Sequence, residues 1–318
     1  MTEDQVRPQA DALFKEHRSF LWGLLYRLTG SAADADDLVQ ETFLRAIERP
    51  PARTDAPWRP WLVRVAMNLG RDLLRKRRRR GYVGAWLPSP LDTEDEPPSF
   101  EPADTALGPA ARYDRIESVS VAFLLALEAL RPSQRAVLLL RDVLDEPVKD
   151  TARALGMTEA NVKTTHLRAR RAMAAYDRHR LPLTRTRQEQ SQKALERFLT
   201  CLAQGDAAGL TALLARDVRS ISDGGGEFVT ALQPIVGPEK VCRFYLGLVQ
   251  KFGMDGRVEV RSLNGLPALL VARADSPKNV AARFTLQCEL DALGRIARIY
   301  VVQATRKLTA VDPSRSRS

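Results

Sequence analysis

At 318 residues, with 44% apolar and 28% charged residues, the chain is long enough for two or three domains that each bury a core. No run approaches the roughly 18 apolar residues of a membrane span, and the start, MTEDQVRPQADALF, lacks the basic and apolar segments of an export signal, so a cytoplasmic protein without membrane contact is expected. The formal charge of +10 favours a polyanionic partner, while Cys201, Cys242 and Cys288, far apart and without a CxxC or Cys/His cluster, argue against a zinc site or disulfide framework.

Residues 11–80 read as helices. Leu13, Phe14, Phe20, Leu21, Leu24, Leu25 and Leu28 fall at helical spacing, as do Leu38, Val39, Thr42, Phe43, Ala46 and Ile47. After the turn-prone ERPPARTDAP a third helix starts near Trp58, with Trp61, Leu62, Val65, Ala66, Leu69 and Leu73 on one side and Arg64, Asn68, Arg71 and Arg75 on the other. It ends in RKRRRR, a run that would neutralise phosphates and make nucleic-acid binding salt-dependent. Residues 92–104, acidic, proline-bearing and without a base, suit a flexible linker, and 81–113 as a whole is read as the connection to a second helical domain over 114–180.

Within that second domain, EPVKDTARALGMTEANVKTTHLRARRAM (146–173) has the logic of a helix-turn-helix. Val148, Ala152 and Leu155 face Val162 and Ala169, Gly156 permits the turn, and the Thr158 hydroxyl caps the second helix. That helix presents Glu159, Asn161, Lys163, Thr164, Thr165 and Arg168 outward, with His166 on the inward side as a packed, hydrogen-bonded residue. Asn and Arg suit base edges in the major groove, and Lys and Arg suit phosphates.

From about residue 187 the pattern changes. A helix around Leu195, Phe198, Leu199 and Leu202, and another over 238–252, are joined by strand-like runs VEVRSL, ALLVARA, ARFTLQCEL and IARIYVV, which predicts an α+β domain over 187–308 before a disordered tail, 309–318. Gly224, Gly225 and Gly226 in succession suggest a loop approached closely by another surface. All three histidines, His17, His166 and His179, precede this domain, which weakens acid–base catalysis; Asp223, Asp255 or Asp275 with Tyr245 or Tyr300 is the remaining catalytic combination.

DADDLVQETFLRA (34–46), WRPWLVRVAMNLGRDLLRKRRRR (58–80) and SQRAVLLLRDV (133–143), in this order, resemble the signature segments of the extracytoplasmic-function class of sigma-70-family RNA polymerase sigma factors. The resemblance covers residues 8–180 and implies a first helical domain (8–80) that docks on core polymerase and reads and melts the −10 element, and a second (114–180) that reads the −35 element. It assigns Asp37, Gln40, Glu41 and Phe43 to the clamp helices of the polymerase β′ subunit. Trp58, Trp61, Arg64, Asn68, Arg71 and Arg75 go to −10 DNA, and Thr158, Glu159, Asn161, Lys163, Thr164, Thr165 and Arg168 to −35 DNA, with the β flap as a further polymerase contact. Recognition helices of this class commonly carry Arg in place of Thr165 and Leu in place of His166, so the promoter sequence does not carry over.

The last domain is similar in element order to the SnoaL-like, nuclear-transport-factor-2-like cone fold. WLPSP (86–90) and SDGGG (222–226) resemble paired motifs of a SigJ-like subgroup whose fused extension acts in place of a separate anti-sigma factor. The expected architecture is therefore multidomain: two all-α sigma domains plus an α+β cone domain. Trp86, Leu87 and Pro88 are expected to contact Asp223, Gly224, Gly225 and Gly226. No catalytic residue, metal site or cofactor is assigned, and the partners are core RNA polymerase and promoter DNA, with a small ligand in the cone as a further candidate. The alternative is a helix-turn-helix regulator with a ligand-sensing cone domain, which has no need of DADDLVQETF.

Overall fold

The structure is a computed structural model that describes residues 3–51, 57–94 and 112–311. The linker composition read over 92–104 and the tail read over 309–318 lie partly outside these residues. Two compact units result: residues up to 81 with those from 112 to 180, and residues 82–94 with those from 181 onward.

The first unit is helical. α1 (Glu3–Thr29) and α2 (Ala32–Glu48) meet at a tight turn where Gly30 adopts a φ of +68° and Ser31 caps α2, its hydroxyl accepting from the Asp34 amide at 3.2 Å. α3 (Arg59–Arg80) starts with a proline in its first turn and packs on α1 so closely that a Cβ on Gly70 would run into the Leu28 side chain. It buries Leu62, Val63, Ala66, Met67, Gly70 and Leu74. The stripe predicted from spacing is therefore shifted by about a residue, leaving Trp61, Val65, Leu69 and Leu73 half-buried.

α4 (Val121–Leu127), α5 (Pro132–Leu138), a π-helical turn (Leu139–Val143), α6 (Val148–Leu155) and α7 (Glu159–His179) complete this unit. Two buried arginines fasten them to α1. Arg27 donates to the Ser118 hydroxyl at 2.8 Å and the Arg115 carbonyl at 3.1 Å, and Arg135 donates to the carbonyls of Leu28 (3.0 Å) and Leu127 (2.7 Å). Burial pushes the Arg135 guanidinium down to about 10, so it remains charged at neutral pH.

The second unit is α+β. α8 (Arg185–Gln204), α9 (Ala207–Leu213) and α10 (Pro238–Phe252) accompany strands β1 (Leu214–Asp223), β2 (Ile235–Val236), β3 (Arg257–Leu263), β4 (Leu266–Ala272), β5 (Arg283–Leu290) and β6 (Ile296–Val302). The sheet order is β2-β1-β6-β5-β4-β3, antiparallel except for β1 and β6. This is the cone arrangement expected from the element order. Leu195, Phe198, Leu202, Val241, Val218, Leu286, Cys288 and Ile299 fill the space between the helices and one sheet face. Burial pushes the Cys288 thiol up to about 12, so it behaves as a core residue.

Two boundaries differ from the sequence reading. Residues 82–94 belong to the second unit rather than to a free linker, and residues 309–311 are no disordered tail. They end a 3₁₀ helix (Thr305–Val311) whose Leu308 and Val311 are buried, and burial of these apolar groups offsets the entropy of ordering it.

Candidate functional site

Four features carry the residues singled out in the sequence. On α2, Asp37 and Gln40 are exposed and Glu41 is half-exposed, bound to Arg45 one turn on at 2.9 Å. Phe43 is not on this face. It is buried edge-to-face against Phe14 with ring centroids 4.9 Å apart, which corrects its assignment as a partner contact. The apolar part of the exposed face is instead Leu44 and Ile47, 54% and 49% exposed, and Ile47 leaves the core stripe in which spacing put it. Residues 37, 40, 41, 44 and 47 recur at three- and four-residue spacing, giving one amphipathic surface suited to another helix.

On α3, Trp58 and Trp61 are half-buried and lie edge-to-face 6.0 Å apart, while Arg64 is exposed and Asn68 half-buried. The basic stripe is partly engaged within its own unit. Arg71 donates to the Leu155 carbonyl at the end of α6 (3.1 Å), Arg75 pairs with Asp72 (2.6 Å), and Arg77 holds Glu128 (2.7 Å) and the Thr29 carbonyl (2.8 Å). Arg78 reaches the Leu130 carbonyl.

On α7 the helix-turn-helix geometry is explicit. Gly156 ends α6 in the left-handed region at φ +63°, and the Thr158 hydroxyl accepts from the Asn161 amide at 3.2 Å. Glu159, Asn161, Lys163, Thr164 and Arg168 are exposed. Thr165 is not: it lies in the inward stripe of Val162, Ala169 and Met173 and donates to the Asn161 side-chain oxygen Oδ1 at 3.2 Å, which corrects its assignment to DNA. His166 contacts the buried carboxylate of Asp142 at 2.9 Å, and Arg170 grips the same group through two nitrogens at 3.1 and 2.5 Å. Burial pushes Asp142 up, but these hydrogen bonds outweigh it and hold the carboxyl below its ordinary range.

The fourth feature lies in the second unit, where residues 82–94 form a strap on the sheet. Asp223 ends β1 with its side chain on the face opposite Ser220, whose hydroxyl meets that of Tyr245 inside the core at 2.8 Å. The Asp223 carboxylate is surrounded: Oδ1 accepts from the Tyr82 hydroxyl (2.6 Å) and the Gly225 amide (3.0 Å), and Oδ2 from the Leu87 amide (2.7 Å) and Lys307 Nζ (2.5 Å). Lys307 also donates to the Leu87 carbonyl at 2.5 Å and lies 4.7 and 4.5 Å from the ring centroids of Tyr82 and Trp86. Ion pair, hydrogen bonds and cation–π contacts thus all grip the same stretch.

The far end of the strap is fastened by neutral groups. The Asn264 side chain accepts from the Leu91 amide (3.0 Å), the Asn264 amide donates to the Leu91 carbonyl (2.8 Å), and Thr93 pairs with Ser262. Asn264 and Gly265, at φ +51° and +83°, form the two-residue turn between β3 and β4. From β1 to β3 there are four strand spacings, about 19 Å, and the six residues from Leu87 to Asp92 reach at most about 20–22 Å, so the strap runs nearly extended. Pro88 and Pro90 bring no amide hydrogen onto the sheet, and Leu87, Pro88, Ser89, Pro90 and Leu91 are buried. At Gly226 (φ +76°) a Cβ would stand 3.4 Å from Val83, so the glycine loop carries the strap's start at close range.

Of the expected contacts, the Leu87 amide meets Asp223 and Trp86 meets Lys307, while Tyr82, Lys307 and Asn264 were not singled out in the sequence. The Asn-Gly dipeptide was a readable turn signal, whereas a lone lysine in TRKL gives none. The catalytic combination considered for this domain is not assembled. Asp255 and Asp275 are exposed, Asp223 is enclosed by the strap, Tyr245 is bound to Ser220 and Tyr300 to Glu289 at 2.9 Å, and burial pushes both phenols up. Among the described residues no cluster could hold a metal ion and no helix is long and apolar enough to cross a membrane.

Comparison with known proteins agrees with these features. Residues 13–80 match the model of Sigma-70 region 2 and residues 120–173 that of Sigma-70, region 4. The ECF RNA polymerase sigma factor SigJ of Mycobacterium tuberculosis is 34% identical over 280 residues, covering 84% of this chain and 85% of its own. The sigma factor SigG of the same organism is 37% identical over 183 residues, 52% of this chain and 48% of its own. The crystal structure of Mycobacterium tuberculosis SigJ superposes with a TM-score of 0.68 at 29% identity, covering 92% of this chain and 96% of the other. Helical segments at both matched positions and identity along most of both chains lead to one assignment: the chain belongs to the ECF RNA polymerase sigma factors.

Proposed function

We propose that this sigma factor docks on the polymerase clamp through the α2 face of Asp37, Gln40, Glu41, Leu44 and Ile47, and reads −10 DNA through α3 and −35 DNA through α7. Its C-terminal domain modulates initiation in cis by holding the linker strap. The protein acts in the cytoplasm as a polymerase subunit rather than as an enzyme. The observation that carries the regulatory part is the enclosure of Asp223 by Tyr82, Leu87 and Lys307: a linker segment with buried Leu87 and Leu91 is withheld from any other binding surface while it is clamped.

The same reading requires the first unit to open. Elements centred near −10 and −35 are about 25 base pairs, or roughly 85 Å, apart along B-DNA. Arg71 on α3 is hydrogen-bonded to the end of α6, so the two DNA-reading helices cannot occupy both elements in this arrangement. The test is in vitro transcription with core RNA polymerase and a promoter pool, using the full-length chain. Promoter-specific initiation is the expected result, and none by the wild type or by strap variants would overturn the proposal.

A further inference from the structure

The outward face of α7 carries an apolar residue to which the DNA assignment gives no role. Leu167 is 52% exposed. At about 100° per residue it lies some 140° from the inward Val162, between Lys163 and Arg171 and near the middle of the solvent face. Its neighbour Thr164 spends its hydroxyl on the Ala160 carbonyl at 3.0 Å, which leaves its methyl group as the free outward part of the side chain. Leu167 and the Thr164 methyl thus form a small apolar spot framed by Lys163, Arg168 and Arg171, all exposed.

An exposed leucine among cations has little to gain from water, whereas a major groove offers one apolar base-edge group, the C5-methyl of thymine. The flanking cations fit the phosphates on either side of that groove. Resting on the reading of α7 as the −35 helix, we propose that Leu167, assisted by the Thr164 methyl, is a specificity-determining residue that selects thymine in the −35 element by apolar contact with its methyl group. Asn161 complements it: its side-chain oxygen Oδ1 already accepts from Thr165, so its side-chain amide hydrogens are the part offered to base acceptors.

The test uses the holoenzyme formed by the full-length chain and a promoter chosen from a random pool. Each thymine of the −35 element is replaced in turn by deoxyuridine, which removes only the methyl group. The wild type is expected to lose roughly three- to fivefold in promoter affinity at one or two positions, the scale of one buried methyl. Leu167→Ala should bind the methylated site more weakly and be indifferent to deoxyuridine at those positions, and Leu167→Met should recover most of the sensitivity. Leu167 is exposed, so these variants keep the fold. A −35 element without thymine, deoxyuridine indifference in the wild type, or equal sensitivity in Leu167→Ala overturns the inference while leaving α7 as the −35 helix. Affinity independent of the whole −35 sequence overturns that reading as well, so the two failures are distinguishable.

Discussion

Two carboxylates each grip cations across a joint of this molecule, and they are built differently. Asp223, fully enclosed, holds Lys307 and the strap. Glu128, with a third of its side chain exposed, holds Arg77 at 2.7 Å and Arg135 at 2.9 Å where α3 meets the start of α5. A sealed pair is insensitive to salt and costly to break, because removing one partner strands a buried charge. A half-exposed pair is screened by ions and exchanges with other anions at small cost. On the proposed reading of α3 as a DNA-contacting helix, the Glu128 joint is the one that would yield, with phosphates replacing Glu128 on Arg77, whereas the strap needs its whole clamp undone.

The largest effect expected from breaking this contrast is that of Asp223→Ala. Stranding Lys307 should cost the second unit about 3–5 kcal/mol, read by urea denaturation followed through Trp86 fluorescence in a background with Trp22, Trp58 and Trp61 replaced by Phe. Pairing Asp223→Leu with Lys307→Met should cost less than Asp223→Ala alone, and a loss under about 1 kcal/mol in the single variant would place the pair among exchangeable ones.

Asp142, another sealed carboxylate, comes next. Asp142→Asn should cost about 1.5–3 kcal/mol of the first unit's stability, the scale of hydrogen bonds to a charged group. Because its folded value lies below the ordinary 3.8, its contribution is present above about pH 4 and is lost as pH falls through the folded value. Melting temperatures from pH 6 down to pH 2 should show this loss in the wild type and not in Asp142→Asn.

Glu128→Gln, which keeps a neutral acceptor beside the buried Arg135, should cost about 1–2 kcal/mol, but dyes placed on α2 and α7 should move apart, as they should on raising salt from 0.1 to about 0.5 M. An unchanged dye distance in both experiments would make this joint as rigid as the strap. Smallest in stability, within about 0.5 kcal/mol, is Ile47→Asp, whose effect should appear instead as weaker binding to core polymerase in a pull-down or titration.

The helix-turn-helix was legible in the sequence because its signals are local: Gly156 and Thr158 mark the turn, and Val162 and Ala169 mark the buried side. Phe43 and Leu44 were not separable, since they are adjacent apolar residues about 100° apart and only the presence of Phe14 decides which one is buried. The α3 stripe moved because the second half of the unit covers this helix from another side, through Arg71 and Arg77, which periodicity along one helix does not register. Lys307 was illegible for a plainer reason. Buried lysines are rare, and the carboxylate and rings that make this one tolerable come from segments 84 and more than 220 residues away in sequence.

If the clamped strap controls initiation by this sigma factor, promoter-specific transcription by core RNA polymerase with the wild type, Trp86→Ala, Asp223→Asn and the double variant will report it. Specific initiation by the wild type, a change of about fivefold or more in each single variant and little further change in the double are expected, because both act on the Lys307 clamp. Initiation equal to wild type in all variants, or effects that simply add, would contradict it.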